Sequence, residues 1–219
     1  MSTVMLPSVE ARAQSLTEEL FQYLTVQGSR SYGEARVTQL EHALQAAQLA
    51  REAGADDDAV VAALLHDIGQ FIPMYEHMPA LIAPNGSRVG RGSHDVFGEK
   101  YLRELGFNDK ICQLVGAHVM AKRYLTAVDK DYYDKLTEIS KNSLRLQGGV
   151  FTEEEVKFHQ KDPLLEQKLA LRRFDDLAKV PGKVTEPLSQ YKPLVVKTLI
   201  DSLSRAALPH QSDVSSASG

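Results

Sequence analysis

The chain has 219 residues, 43% of them hydrophobic, and a formal net charge of −4. That is enough apolar material for one well-buried domain, and the slight acidity excludes the basic stripe of a nucleic-acid surface. No run of about 18 apolar residues suggests a membrane span. No basic-then-apolar start suggests a signal peptide, and the single cysteine, Cys112, excludes an intrachain disulfide and fits a reducing, cytoplasmic setting.

In chain order the pattern is helical. Residues 8–26 place Leu16, Leu20, Tyr23 and Leu24 near helical spacing. A polar, Gly-containing loop at 27–36 follows. Thr38 suits the cap of a helix over 39–54 that stops at Gly54. Residues 57–71, rich in Ala and Leu, read as a central helix. Residues 72–93 break the pattern with prolines and glycines and read as a long loop holding a PNGS turn. Ordered loops of that length often cover or line binding sites. Helical patterning resumes at 94–105, 108–123 and 130–146, where Gln147-Gly148-Gly149 ends it. Thr152 and the acidic residues behind it mark another helix start. Helices over 163–178, stopped by VPG, and over about 193–206 complete the series. No strand is expected. The reading is a single all-α domain over 1–206 with its core at about 36–180, and a disordered tail at 207–219.

Within these stretches stand His42, the adjacent pair His66-Asp67, His94, His118 and Asp175. Imidazole and carboxylate are costly to hold in apolar helices unless something binds them. A lone buried histidine is more often a hydrogen-bonded core residue than a ligand. The HD pair inside LLHDIG is different, because two adjacent ionisable groups in a central helix have no cheap structural role. Neighbours on a helix are about 100° apart round its axis, so both would serve one ion poorly. They serve two ions well if Asp67 bridges them, since paired ions sit roughly 3.5–4 Å apart. His42, His66, Asp67 and Asp175 then hold the first ion, and Asp67, His94 and His118 the second. Open positions remain on both, as in a catalytic rather than a structural site. Imidazole and carboxylate without thiolate suit iron, manganese or zinc. His77, His159 and His210 receive no role, and Cys112 reads as a small packed hydrophobe.

H…HD…H…H…D, with HD in an AALLHDIG helix, resembles the HD-domain superfamily. The resemblance implies an all-α HD-domain helical bundle with a central dinuclear metal site. More of the chain is similar to a narrower group. YGEARVTQLEHALQAAQLA, ALLHDIG, HVMAKRYL, SLRLQGG and LALRRFDDLAKVPG resemble the HD-domain mixed-valent di-iron oxygenases that cleave 1-hydroxyphosphonates, over about residues 30–185. That likeness implies two iron ions, Fe(II)/Fe(III), with O2 as co-substrate. The implied substrate is a 1-hydroxy-2-(substituted amino)ethylphosphonate, cleaved to phosphate and a glycine or betaine carboxylate. It also implies substrate contacts for Lys122, Ser140 and Arg172, with Lys122 neutralising the phosphonate. Tyr32 and Glu34 match a loop that guards the iron and recognises the amino end, although the stretch from Gly33 to His42 is one residue longer than the family pattern. Gln70 stands where the aminohydroxyethylphosphonate enzymes carry a second histidine. Glutamine cannot act as acid or base near neutral pH, which favours a substituted or N-methylated substrate. Asp67 and Lys122 are the expected catalytic residues. The implied partner is a small organophosphonate; no nucleic acid, membrane or protein partner is inferred. A metal-dependent HD phosphohydrolase acting on a nucleotide or phosphomonoester is the alternative, and an inactive HD sensor the third reading.

Overall fold

Helix α1 (Val9–Gln27) opens the computed structural model, which describes residues 7–32, 36–73, 77–84, 86 and 88–207. Ser8 caps it, and Ala13, Thr17, Leu20 and Leu24 line its buried stripe against α11 (Lys192–Ala207). α2 (Gln39–Glu52) starts in a capping box, with Thr38 and Glu41 each satisfying the other's backbone N–H. Its inward face is mostly alanine, which lets it lie close to α3 (Asp57–Leu65). Every side chain of α3 from Val60 to Leu65 is buried, so this helix forms the centre. Burying each leucine contributes roughly 1.5–3 kcal/mol.

α3 ends at Leu65, not near residue 71 as its composition suggests. His66 and Asp67 occupy a turn, with Asp67 at φ −100° and ψ 14°, before a 3-10 turn over Ile68–Gln70. The cause is the neighbour: the backbone at Gly69 passes against the start of α4 (His94–Leu105), a path no straight helix could follow. The expected loop at 72–93 contains a short hairpin. β1 (Ala80–Ile82) pairs antiparallel with β2 (Arg88–Arg91), Leu81 opposite Gly90. Strands this short cannot display alternation among so many prolines and glycines. The expected turn is present where described: Gly86, at φ +81°, donates its N–H to Ala83 at 2.9 Å.

Two more predicted helices are each divided. α5 (Asp109–Gly116) and α6 (His118–Val128) meet at Ala117, whose N–H turns back to Leu114. α7 (Lys130–Lys135) and α8 (Glu138–Leu146) are separated where Thr137 caps α8. In both cases the apolar pattern runs on while the axis changes. α9 (Glu153–His159) begins with the expected cap at Thr152, and α10 (Leu165–Leu177) packs on α2 and α6. The main core joins α1, α2, α3, α5 and α11, and a satellite of Ala121, Tyr124, Leu125, Phe151, Leu165 and Leu169 forms between α6 and α10. Residues 208–219, most of the expected tail, lie outside the described residues. No helix of the described residues is long and apolar enough to cross a membrane.

Candidate metal centre

The six ligand candidates meet where α2, the turn after α3, the starts of α4 and α6, and α10 converge. His42 Nε2 lies 3.0 Å from His66 Nε2 and 3.3 Å from Asp175 Oδ1. Asp67 Oδ2 is 3.8 Å from His42 Nε2 and 3.7 Å from His66 Nε2. The other carboxylate oxygen, Oδ1, is 3.5 Å from His94 Nε2, and His94 Nε2 is 2.7 Å from His118 Nε2. His42, His66 and Asp67 thus form one group suited to a cation, and Asp67, His94 and His118 form a second. Asp67 belongs to both, one oxygen towards each. The helix break after Leu65 is what permits this aim.

Donor chemistry tests whether an ion fits. His42 Nδ1 faces the Ala178 carbonyl and His66 Nδ1 the Ala63 carbonyl, each at 2.8 Å. A carbonyl only accepts, so each Nδ1 carries the proton and each Nε2 presents a lone pair. Two lone pairs facing across 3.0 Å in the core repel unless a cation stands between them. Neighbouring ligands at about 2.1 Å on an octahedral ion lie about 3 Å apart, close to the spacing seen. Asp67 Oδ2 is buried without a hydrogen-bond partner among the described residues, which is expensive for a carboxylate oxygen. The residues present fit a metal pair, and the Ala178 and Ala63 carbonyls fix the ring orientations of His42 and His66.

Electrostatics agree. Burial raises the Asp67 carboxyl, but the surrounding histidines outweigh it and bring the group down to about 2. Burial likewise opposes ionisation of Asp175, yet Arg172 and Lys179 hold it well below the carboxylate range. Burial depresses His66, and burial with neighbouring His94 pushes His118 well down. Both carboxylates are therefore charged and these imidazoles neutral at pH 7, the protonation states that ligands need.

The substrate-contact candidates divide. Lys122 is buried on α6, with Nζ donating to Ser143 Oγ at 2.9 Å and Gln147 Oε1 at 2.5 Å. Burial and the nearby Arg172 push it down to about 7. Ser140 is turned into the cap of α8, where its Oγ accepts from Thr137, and Ser143 stands beside Lys122 instead. Arg172 faces the site, but its fork is engaged: Nη1 meets Asp175 Oδ2 at 2.8 Å, while Nε and Nη2 bind Asp176. Tyr132 on α7 joins that network through its hydroxyl. Tyr32 stacks on His42, ring centres 3.7 Å apart, and donates its hydroxyl to Asp175 Oδ1 at 3.2 Å. Burial and then Asp175 raise its phenol well above the usual range. Gln70 Oε1 accepts from Gln39 Nε2 at 3.2 Å. Glu34 lies outside the described residues. Ser143, Gln147, Tyr132, Asp176 and Lys179 were not anticipated. Asp176 adjoins the ligand candidate Asp175 and Ser143 is three residues, one helical turn, beyond Ser140, so spacing alone could have found both.

The HD domain family model matches residues 40–174. The chain belongs to the HD-domain family. Among relatives of this HD-domain protein, hydroxymethylphosphonate dioxygenase of Gimesia maris is 39% identical over 78% of the chain and 82% of its own length. The glycine-betaine-forming [1-hydroxy-2-(trimethylamino)ethyl]phosphonate dioxygenase of Leisingera caerulea is 35% identical over 77% of the chain and 82% of its own. An uncharacterized protein of Acanthamoeba polyphaga mimivirus is 38% identical over 80% and 77%. Identity of this extent to two dioxygenases makes the HD-domain protein an oxygenase, requiring a metal and O2.

Proposed function

We propose that this HD-domain oxygenase cleaves the C–P bond of a small 1-hydroxyphosphonate with O2, using two iron ions held by His42, His66, Asp67, His94, His118 and Asp175. The observation that carries the proposal is the division of Asp67 between two three-residue groups, with an otherwise orphaned oxygen turned to the first. The names of the two dioxygenases share one chemical element, a hydroxyl on the carbon that bears phosphorus. They part at the substituent. We favour a 1-hydroxy-2-(substituted amino)ethylphosphonate, giving phosphate and a glycine or betaine carboxylate. Gln70, neutral at every pH, and the 80–91 hairpin, whose second strand lies beside α8, support a pocket shaped for more than the one-carbon compound.

When bound, the iron pair supplies chelation of the substrate and the redox chemistry of O2. The chain's own groups do the rest. Among the described residues Lys122 is held by the neutral oxygens of Ser143 and Gln147, so its charge is available to a phosphonate. Arg172, clamped by Asp175 and Asp176, keeps Asp175 ionised and fixed. Burial of His42, His66, Asp67 and His118 keeps bulk water from the reacting carbon.

Phosphate release from iron-loaded protein tests the proposal on a panel of hydroxymethylphosphonate, 2-amino-1-hydroxyethylphosphonate and its N-trimethyl analogue, with and without O2. Turnover with O2 alone is expected, fastest on an N-substituted compound. Release of phosphate from phosphomonoesters without O2, supported by Mn(II), would instead establish a hydrolase.

A further inference from the structure

We propose that Gly69 and Gly98 are positioning residues that set the distance between the bridging carboxylate and the second metal's histidines. This rests on the two-metal reading above. Gly69 follows Asp67 by two residues, and Gly98 lies one turn into α4 after His94. A Cβ on Gly69 would stand 1.9 Å from the His94 carbonyl oxygen, and one on Gly98 3.2 Å from the Gly69 backbone nitrogen. The two backbones are thus in direct contact with no side chain between them. That contact is what brings Asp67 Oδ1 to 3.5 Å from His94 Nε2.

The chain is bent to make it. Ser93, immediately before His94, has φ +64° and is the sole non-glycine in the left-handed region among the described residues. Its side chain makes no capping bond to α4 that would explain the strain. Such backbone persists where the surroundings over-determine it, and the Gly69–α4 contact does so here. Any side chain at either glycine pushes α4 away from the Asp67 turn. His42, His66 and Asp175 stand on other elements and are untouched. The second ion should therefore suffer while the first does not.

The test is anaerobic Fe(II) titration of metal-free protein, counting bound ions and their affinities, with thermal melts alongside. Wild type should bind two ions. Gly98→Ala should hold the first within about twofold of wild type and bind the second at least tenfold more weakly. Gly69→Ala, should it fold, should bind one ion only. Gly106→Ala is the control. Its Cβ would press 2.6 Å from Leu203 Cδ2, remote from the ligands, so it should lose stability yet hold both ions normally. Two normal sites in Gly98→Ala, or equal loss of the second ion in Gly106→Ala, would overturn the positioning role. A wild type that binds a single ion would defeat the two-metal reading itself, a distinct result.

Discussion

Replacing Lys122 by methionine should make the metal-free protein more stable and a poorer binder of phosphonate. Burial carries the ammonium from 10.5 to about 7. Each unit is worth about 1.4 kcal/mol, so at pH 7 the folded state forgoes about 4 kcal/mol relative to a lysine as basic as in the unfolded chain. Methionine has similar length and no charge to bury. It forfeits the hydrogen bonds to Ser143 and Gln147, about 1 kcal/mol each, which leaves a net gain of about 2 kcal/mol. The sign with pH is fixed. Between about 7 and 10.5 the unfolded chain binds a proton that the folded chain lacks, so wild-type stability rises with pH there. The advantage of Lys122→Met is then largest at or below pH 7, gone near pH 9 and reversed above it. Urea denaturation across this range measures it. In the iron-loaded enzyme KM should rise at least tenfold with iron content unchanged, and wild-type KM should itself rise above pH 7 as the charge is lost. A variant less stable than wild type at pH 7, or an unchanged KM, would refute the reasoning.

Asp67→Ala should reduce iron from two equivalents to less than one, read by elemental analysis, because each ion loses the same ligand. Asp176→Asn should unfasten Arg172, lowering stability by roughly 2 kcal/mol in urea titrations and raising KM for the phosphonate. Thr38→Ala removes the capping box and should cost about 1 kcal/mol. That is a melting temperature lower by a few degrees, with iron content intact.

The ligand candidates, which the fold brings together, were legible because their setting is unusual. Histidine and aspartate in alanine- and leucine-rich helices demand an explanation, and the HD pair demands a shared one. What the pattern concealed was direction. An apolar run looks the same whether the helix continues or turns, so the breaks after Leu65, at Ala117 and before Thr137 went unseen. Each break serves the site: the first aims Asp67, the second turns His118 inward, and the third lets α8 bring Ser143 to Lys122. Arg172 faced the site as expected, and its partner Asp176 lies one turn further along the same helix; what linear spacing does not encode is the packing of α7 on α10 that brings the Tyr132 hydroxyl to both.

The side chains proposed to hold the ions run from His42 to Asp175, separated by most of the chain. Filling the centre therefore rivets remote segments together, and an unfolded chain offers no comparable grip. Affinity for the ions becomes resistance to unfolding and to proteases. Scarcity of metal would then shorten the half-life of the protein as well as silence it.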